Sequence, residues 1–136
     1  MQDTLKKGRI VRKLYINIEG ACKRKPGSST ISVVVRDNYG RTLEEYKESI
    51  GKSTENLADY QAAVKALEIA AKYCRDKIYI FTDNRFLVNH VYGSYRIKNR
   101  ALFKLLMEIK LLEGFFKCVR FFYIRPVKYS CGRKPG

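Results

Sequence analysis

The sequence predicts an α/β protein, of the α+β mixed-sheet kind, with five strands and three helices in the order β-β-β-α-β-α-α-β. Three observations carry that expectation. Residues 56–71 are the longest stretch of good helix formers, with apolar residues recurring at helical spacing. Before them lie runs rich in β-branched and aromatic residues that alternate in part, as half-buried strands do. After them, Lys77-Ile78-Tyr79-Ile80-Phe81-Thr82 is a short apolar run between two helical segments, which suits a buried parallel strand.

Taken in order, residues 10–19 read as a first strand, with Leu14, Ile16 and Ile18 on one side and Tyr15, Asn17 and Glu19 on the other, ended by Gly20. Residues 23–29 form a basic loop around Pro26-Gly27, and residues 30–36 a β-branched strand. Asp37-Asn38-Tyr39-Gly40 turns the chain into a third strand at 41–50. Ser53-Thr54 supplies a start signal for the helix at 56–71, and Ala58, Ala62, Ala66 and Ala70 give it a smooth stripe able to lie close to a sheet. The strand at 77–82 leads into a short helix over 84–92, closed by Gly93. A helix over 100–113 turns Leu102, Leu105, Leu106, Ile109 and Leu112 inward, and residues 118–124 form the last strand. This divides the chain into a basic extension at 1–9, one domain at 10–126 and a basic tail at 127–136.

A chain of 136 residues with 46% hydrophobic content buries enough surface to fold without staples. No apolar run is long enough to span a bilayer, so a membrane role is not expected, and the start lacks a signal-peptide core. A monomer in the cytoplasm is the expectation. Cys22, Cys74, Cys118 and Cys131 show no zinc-ligand spacing; Cys74 and Cys118 read as core residues. Lys and Arg number 28 against 13 Asp and Glu, a net charge of +15. That excess favours a polyanionic partner, because each neutralised phosphate releases counterions.

The chemistry-bearing residues are three acids: Glu19 at the end of the first strand, Asp59 in the first turn of the long helix, and Asp83 at the end of the fourth strand. Each alone has an ordinary explanation, respectively a solvated strand end, a complement to the helix dipole and a helix cap. If the fourth strand runs parallel beside the first, however, Glu19 and Asp83 become neighbours and the helix start can bring Asp59 alongside. Converging carboxylates repel unless cations neutralise them, as in two-metal phosphoryl-transfer sites. Hard Mg²⁺ or Mn²⁺ suits such oxygen ligands.

These stretches together resemble type 1 ribonuclease H, of the ribonuclease H-like superfamily. Glu19-Gly20-Ala21-Cys22 with Lys25-Pro26-Gly27 is similar to that family's D-G-A-S/C…N-P-G opening. Asn56-Leu57-Ala58-Asp59-Tyr60 is similar to its N-x-A-E-Y helix start, and Thr82-Asp83-Asn84 to its T/S-D-S/N strand end. Gly93-Ser94-Tyr95-Arg96-Ile97-Lys98-Asn99 resembles its G-x-Y-K-x-K-N stretch. The resemblance implies the ribonuclease H-like fold, two Mg²⁺ or Mn²⁺ ions on Glu19, Asp59 and Asp83, and hydrolysis of RNA in RNA–DNA hybrids or related duplexes. It also implies nucleic-acid contacts from Lys23, Arg24, Lys25, Asn56, Arg96, Lys98, Asn99, Arg100, Arg125 and Lys128.

The sequence departs from that pattern in its acids. The family's first Asp and second Glu stand exchanged here as Glu19 and Asp59, one side chain longer and the other shorter, and the expectation is that the two changes compensate. The fourth family acid, at the start of a C-terminal helix, has no counterpart in residues 127–136, and the usual C-terminal helix is expected to be lacking. Lys25 stands where the family has a loop Asn, so reading of the RNA 2′-hydroxyl is expected to be relaxed. Two functions follow: a metal-dependent endonuclease, or a catalytically weak or inactive module of the same fold that binds nucleic acid or a protein partner.

Overall fold

The computed structural model describes residues 10–23, 27–93 and 96–125. The basic segments expected at 1–9 and 127–136, and the expected lack of a C-terminal helix, lie outside the described residues. The elements are β1 (Lys13–Cys22), β2 (Gly27–Asp37), β3 (Thr42–Ser53), α1 (Glu55–Ala70), β4 (Lys77–Thr82), α2 (Arg85–Val91), α3 (Arg100–Glu113) and β5 (Cys118–Tyr123), in the predicted order. The strands form one sheet, β3-β2-β1-β4-β5. β1 pairs antiparallel with β2 and parallel with β4; β4 pairs parallel with β5.

The alternation in β1 sorts as its sequence predicts. Leu14, Ile16 and Ile18 are buried with Val33, Val35, Ile78 and Ile80 of the neighbouring strands, while Tyr15 and Asn17 are half-buried and Glu19 is exposed on the opposite face. β1 does not stop at Gly20, as expected from its lack of a side chain, but runs on to Cys22 with Gly20 opposite Ile31. Helix α1 lies on the buried face. Ala58, Ala62, Ala66 and Ala70 are all fully buried, so the smooth stripe brings its axis close to the strands, and Tyr60 and Leu67 fill the space beside it. Helix α3 packs on α1 through Leu102, Leu106 and Ile109. Leu105 and Leu112 are half-buried, and Cys118, expected in the core, is half-buried too because it opens the edge strand β5. The helix face of the sheet is thus covered and the other face carries none of the three helices.

The β2–β3 turn is held by a buried acid. Asp37 is 1% exposed and its Oδ1 accepts from the Tyr39 and Arg41 amides at 2.8 and 2.9 Å, while Oδ2 accepts from Arg41 Nε at 2.7 Å. Burial alone would raise its pKa, but the Arg41 and Tyr39 bonds outweigh it and hold the carboxyl below its ordinary 3.8. Its ionised form therefore favours the folded chain above that pH, and the stabilisation drains away as pH falls through the lowered value. Asp37→Ala is expected to cost about 2 kcal/mol at pH 7 and much less at pH 3, read by urea denaturation at the two pH values.

Candidate active site

The parallel pairing of β1 with β4 brings two of the three acids to the same end of the sheet. Its last paired residues are Asn17 and Phe81; Glu19 lies two residues further along β1, and Asp83 at the bend just past the end of β4. Both are exposed. The cap of α2 is not Asp83 but Asn84, whose Oδ1 accepts from Leu87 N at 3.0 Å, so the Asp83 carboxylate is not spent on the helix start. Glu19 belongs to the central strand of the sheet rather than to an edge.

Asp59 is placed by a close approach of helix to strand. Thr54 caps α1, its Oγ1 accepting from Leu57 N at 3.1 Å, and sets the first turn against β1. A Cβ on Gly20 would stand 2.5 Å from Asp59 N and 2.6 Å from the Ala58 Cβ, so only glycine admits the helix here. β1 has by then run past its last pairing with β4, and the Gly20 N–H donates to Asp59 Oδ1 at 2.7 Å. Asn84 Nδ2 donates to Asp59 Oδ2 at 2.9 Å and to Asn56 Oδ1 at 2.7 Å. Asn84 therefore ties the first turn of α1 to the first turn of α2.

Asp59 is 5% exposed, and its carboxyl is pushed up to about 6 by burial, with the Asp83 and Glu55 charges adding to the effect and the bonds from Asn84 and Gly20 opposing it. Asp59 stands not in the first turn of α1, as expected, but one turn in, because the helix starts at Glu55; both its oxygens accept from protein donors, the Gly20 amide and Asn84. Among the described residues no three His, Cys, Asp or Glu side chains form a group able to hold a metal ion. The donor chemistry nonetheless fits a hard divalent cation: the acids offer only oxygen, and the Asp83 and Glu55 charges add to the burial that raises the Asp59 carboxyl.

Of the residues expected to contact nucleic acid, Lys23, Arg96, Lys98, Asn99, Arg100 and Arg125 are exposed and Asn56 is half-buried; Arg24, Lys25 and Lys128 lie outside the described residues. Arg96, Lys98 and Asn99 line a hollow with Phe86 and His90, and Asp83 lines an adjoining one that shares Phe86. Phe86 stands between the two hollows. Asn99 Oδ1 also caps α3 by accepting from Leu102 N at 3.0 Å. His90 is a packing residue, buried and hydrogen-bonded to the Tyr60 hydroxyl, with burial lowering its pKa. Sequence reasoning missed Asn84, whose signal was its type at a helix start. It also missed Arg85, whose guanidinium lies 4.6 Å over the Tyr123 ring beside Asp83.

A sequence model of the family described as reverse transcriptase-like matches residues 17–130. The chain belongs to this family and is a type 1 ribonuclease H-like protein. It is 27% identical to the ribonuclease HI of Halobacterium salinarum over 76% of its own length and 52% of that relative's. It is 25% identical to a bifunctional protein of Mycobacterium tuberculosis over 82% of its own length and 31% of the other's. The chain thus spans half or less of the length of much of this group of relatives. In three dimensions it is similar to the Halobacterium salinarum ribonuclease H1, with a TM-score of 0.79 over 83% of this chain and 86% of that one, at 23% identity. It is also similar to a ribonuclease H1 solved in complex with an RNA/DNA hybrid, with a TM-score of 0.77 over 82% and 85% of the two chains, at 26% identity.

Gly20→Ala is expected to lower stability by about 2–3 kcal/mol, since the obstacle is backbone that cannot swing away; chemical denaturation reads it. In metal-free ribonuclease H-like protein the Asp59 carboxyl is expected to titrate near pH 6 by ¹³C NMR. Because that value lies above the unfolded one, the group's stabilising contribution is complete below pH 4 and is lost as pH rises to 6, on the order of 2–3 kcal/mol. Asp59→Asn abolishes that slope.

Proposed function

We propose that this protein is a metal-dependent endonuclease of the ribonuclease H type, hydrolysing the RNA strand of RNA–DNA hybrids or related duplexes. The observation that carries the reading is the parallel pairing of β1 with β4, which ends just short of Glu19 and Asp83, with Asp59 held against the same strand by the Gly20 amide. The hybrid bound by a related ribonuclease H1 supports the substrate class.

Glu19, Asp59 and Asp83 would hold two Mg²⁺ or Mn²⁺ ions, whose chemistry when bound is to activate the attacking water and neutralise the leaving 3′-oxygen. The exposed pair Glu19 and Asp83 faces the substrate, and Asn84 and the Gly20 amide hold Asp59 behind them. The exposed Arg96 and Lys98, in the hollow next to that of Asp83, hold a phosphate backbone, which charge positions without reading sequence.

Labelled RNA–DNA hybrid, double-stranded RNA and DNA, each incubated with Mg²⁺ or Mn²⁺, test the reading. Cleavage of the hybrid is expected, reduced at least about a hundredfold by Asp83→Asn. Cleavage unchanged in that variant sinks the assigned site. One observation favours the second reading, a catalytically weak or inactive nucleic-acid-binding module: both Asp59 oxygens are already bonded to protein donors. That reading predicts salt-sensitive binding with no metal-dependent cleavage of any of the three substrates.

A further inference from the structure

The face of the sheet opposite the helices carries an ordered set of rings and cations. Register places Arg36, Tyr15, Tyr79 and Arg120 in one row across β2, β1, β4 and β5, and Asn17, Phe81 and Phe122 in the next. The rings form one continuous patch. Tyr15 and Tyr79 have centroids 5.3 Å apart, Phe81 and Phe122 5.3 Å, Tyr79 and Phe122 5.9 Å, and Tyr15 lies parallel to Phe81 within 4°. Tyr15, Tyr79 and Phe81 are half-buried and Phe122 is 41% exposed. A surface this rich in rings is an interaction site rather than a solvated face.

The charges around it decide the partner. Arg36 and Arg120 flank the ring row, and Lys13 and Lys77 pair with each other in the row below it. Among the described residues the acids on this face are Glu45 on the outer strand β3 and the pair Glu19 and Asp83 at the site end. On β1 the column Tyr15-Asn17 leads to Glu19, and on β4 the column Tyr79-Phe81 ends one residue before Thr82, with Asp83 at the bend that follows. Rings that accept any base face and cations that accept phosphate, set side by side on one face, fit one ligand class.

We propose that this face, which carries none of the three helices, binds single-stranded nucleic acid, stacking bases on Tyr15, Tyr79, Phe81 and Phe122 and pairing phosphates with Lys77, Arg36 and Arg120. The segment bound is the unpaired flank of a strand that enters the acid site. The face binds whether or not that site cleaves, so the proposal stands apart from the nuclease reading.

Fluorescence anisotropy with labelled dT12 and rU12, beside a blunt-ended RNA–DNA hybrid, tests it on the full chain. Tyr15→Ala and Phe122→Ala are each expected to weaken oligomer binding roughly tenfold and to leave the blunt hybrid unchanged. Phe122→Tyr, which keeps the ring, retains oligomer binding and separates lost stacking from lost folding; circular dichroism confirms the fold of each variant. Arg120→Ala lowers the slope of log affinity against log salt by about 0.7. Oligomer affinity unchanged in folded Tyr15→Ala and Phe122→Ala, or blunt-hybrid affinity falling in parallel, overturns the proposal. So does a dimer, seen by analytical ultracentrifugation, that Phe122→Ala dissociates while oligomer binding persists; the face would then dock a second copy.

Discussion

The Cβ that Gly20 lacks would lie 2.5 Å from the amide of Asp59, and much of the molecule depends on that missing atom. It lets the first turn of α1 touch the backbone of the central strand, and the four fully buried alanines continue the close approach along the helix. Helix packing on a sheet this near requires small side chains on both partners. The same contact turns a strand amide, left over where β1 outruns β4, into a donor for the Asp59 carboxylate. Structure and site share one interaction here, so neither can shift without the other.

Asn84 extends that arrangement to the second strand end. Its side chain caps α2 with the oxygen and binds both Asn56 and Asp59 with the nitrogen, leaving Asp83 exposed beside it. The outcome is a division of roles among three acids that look equivalent in the sequence. Glu19 and Asp83 face outward, while Asp59 is buried and its carboxyl raised. With a Glu in place of Asp59 the carboxylate would end one methylene beyond the Gly20 amide. The exchange of Asp and Glu therefore changes what the helix acid bonds to, not simply how far two groups lie from a common point.

The two faces of the sheet carry opposite designs. One is sealed by aliphatic residues under α1; the other combines four rings with cations and none of the three helices. The rings of β1 and β4 and Glu19 share one face, because side chains in a strand alternate with a period of two. Asp83 follows at the bend just past the end of β4.

Element order, the parallel fourth strand, the N-terminal cap at Thr54 and the alanine stripe were legible in the sequence, since each rests on local propensity or on hydrophobic period. What local pattern could not supply was the role of Gly20, which reads as a strand end and is instead a point of contact with residues about forty positions away. Nor could it show that Asn84 rather than Asp83 caps α2, or that Asp59 turns inward, because a carboxylate's partner is chosen by which donors the folded backbone leaves unpaired. Sequence by itself determined which residues carry charge and the order of the elements; only the tertiary structure decided which charge is buried, through the distance between one helix and one strand.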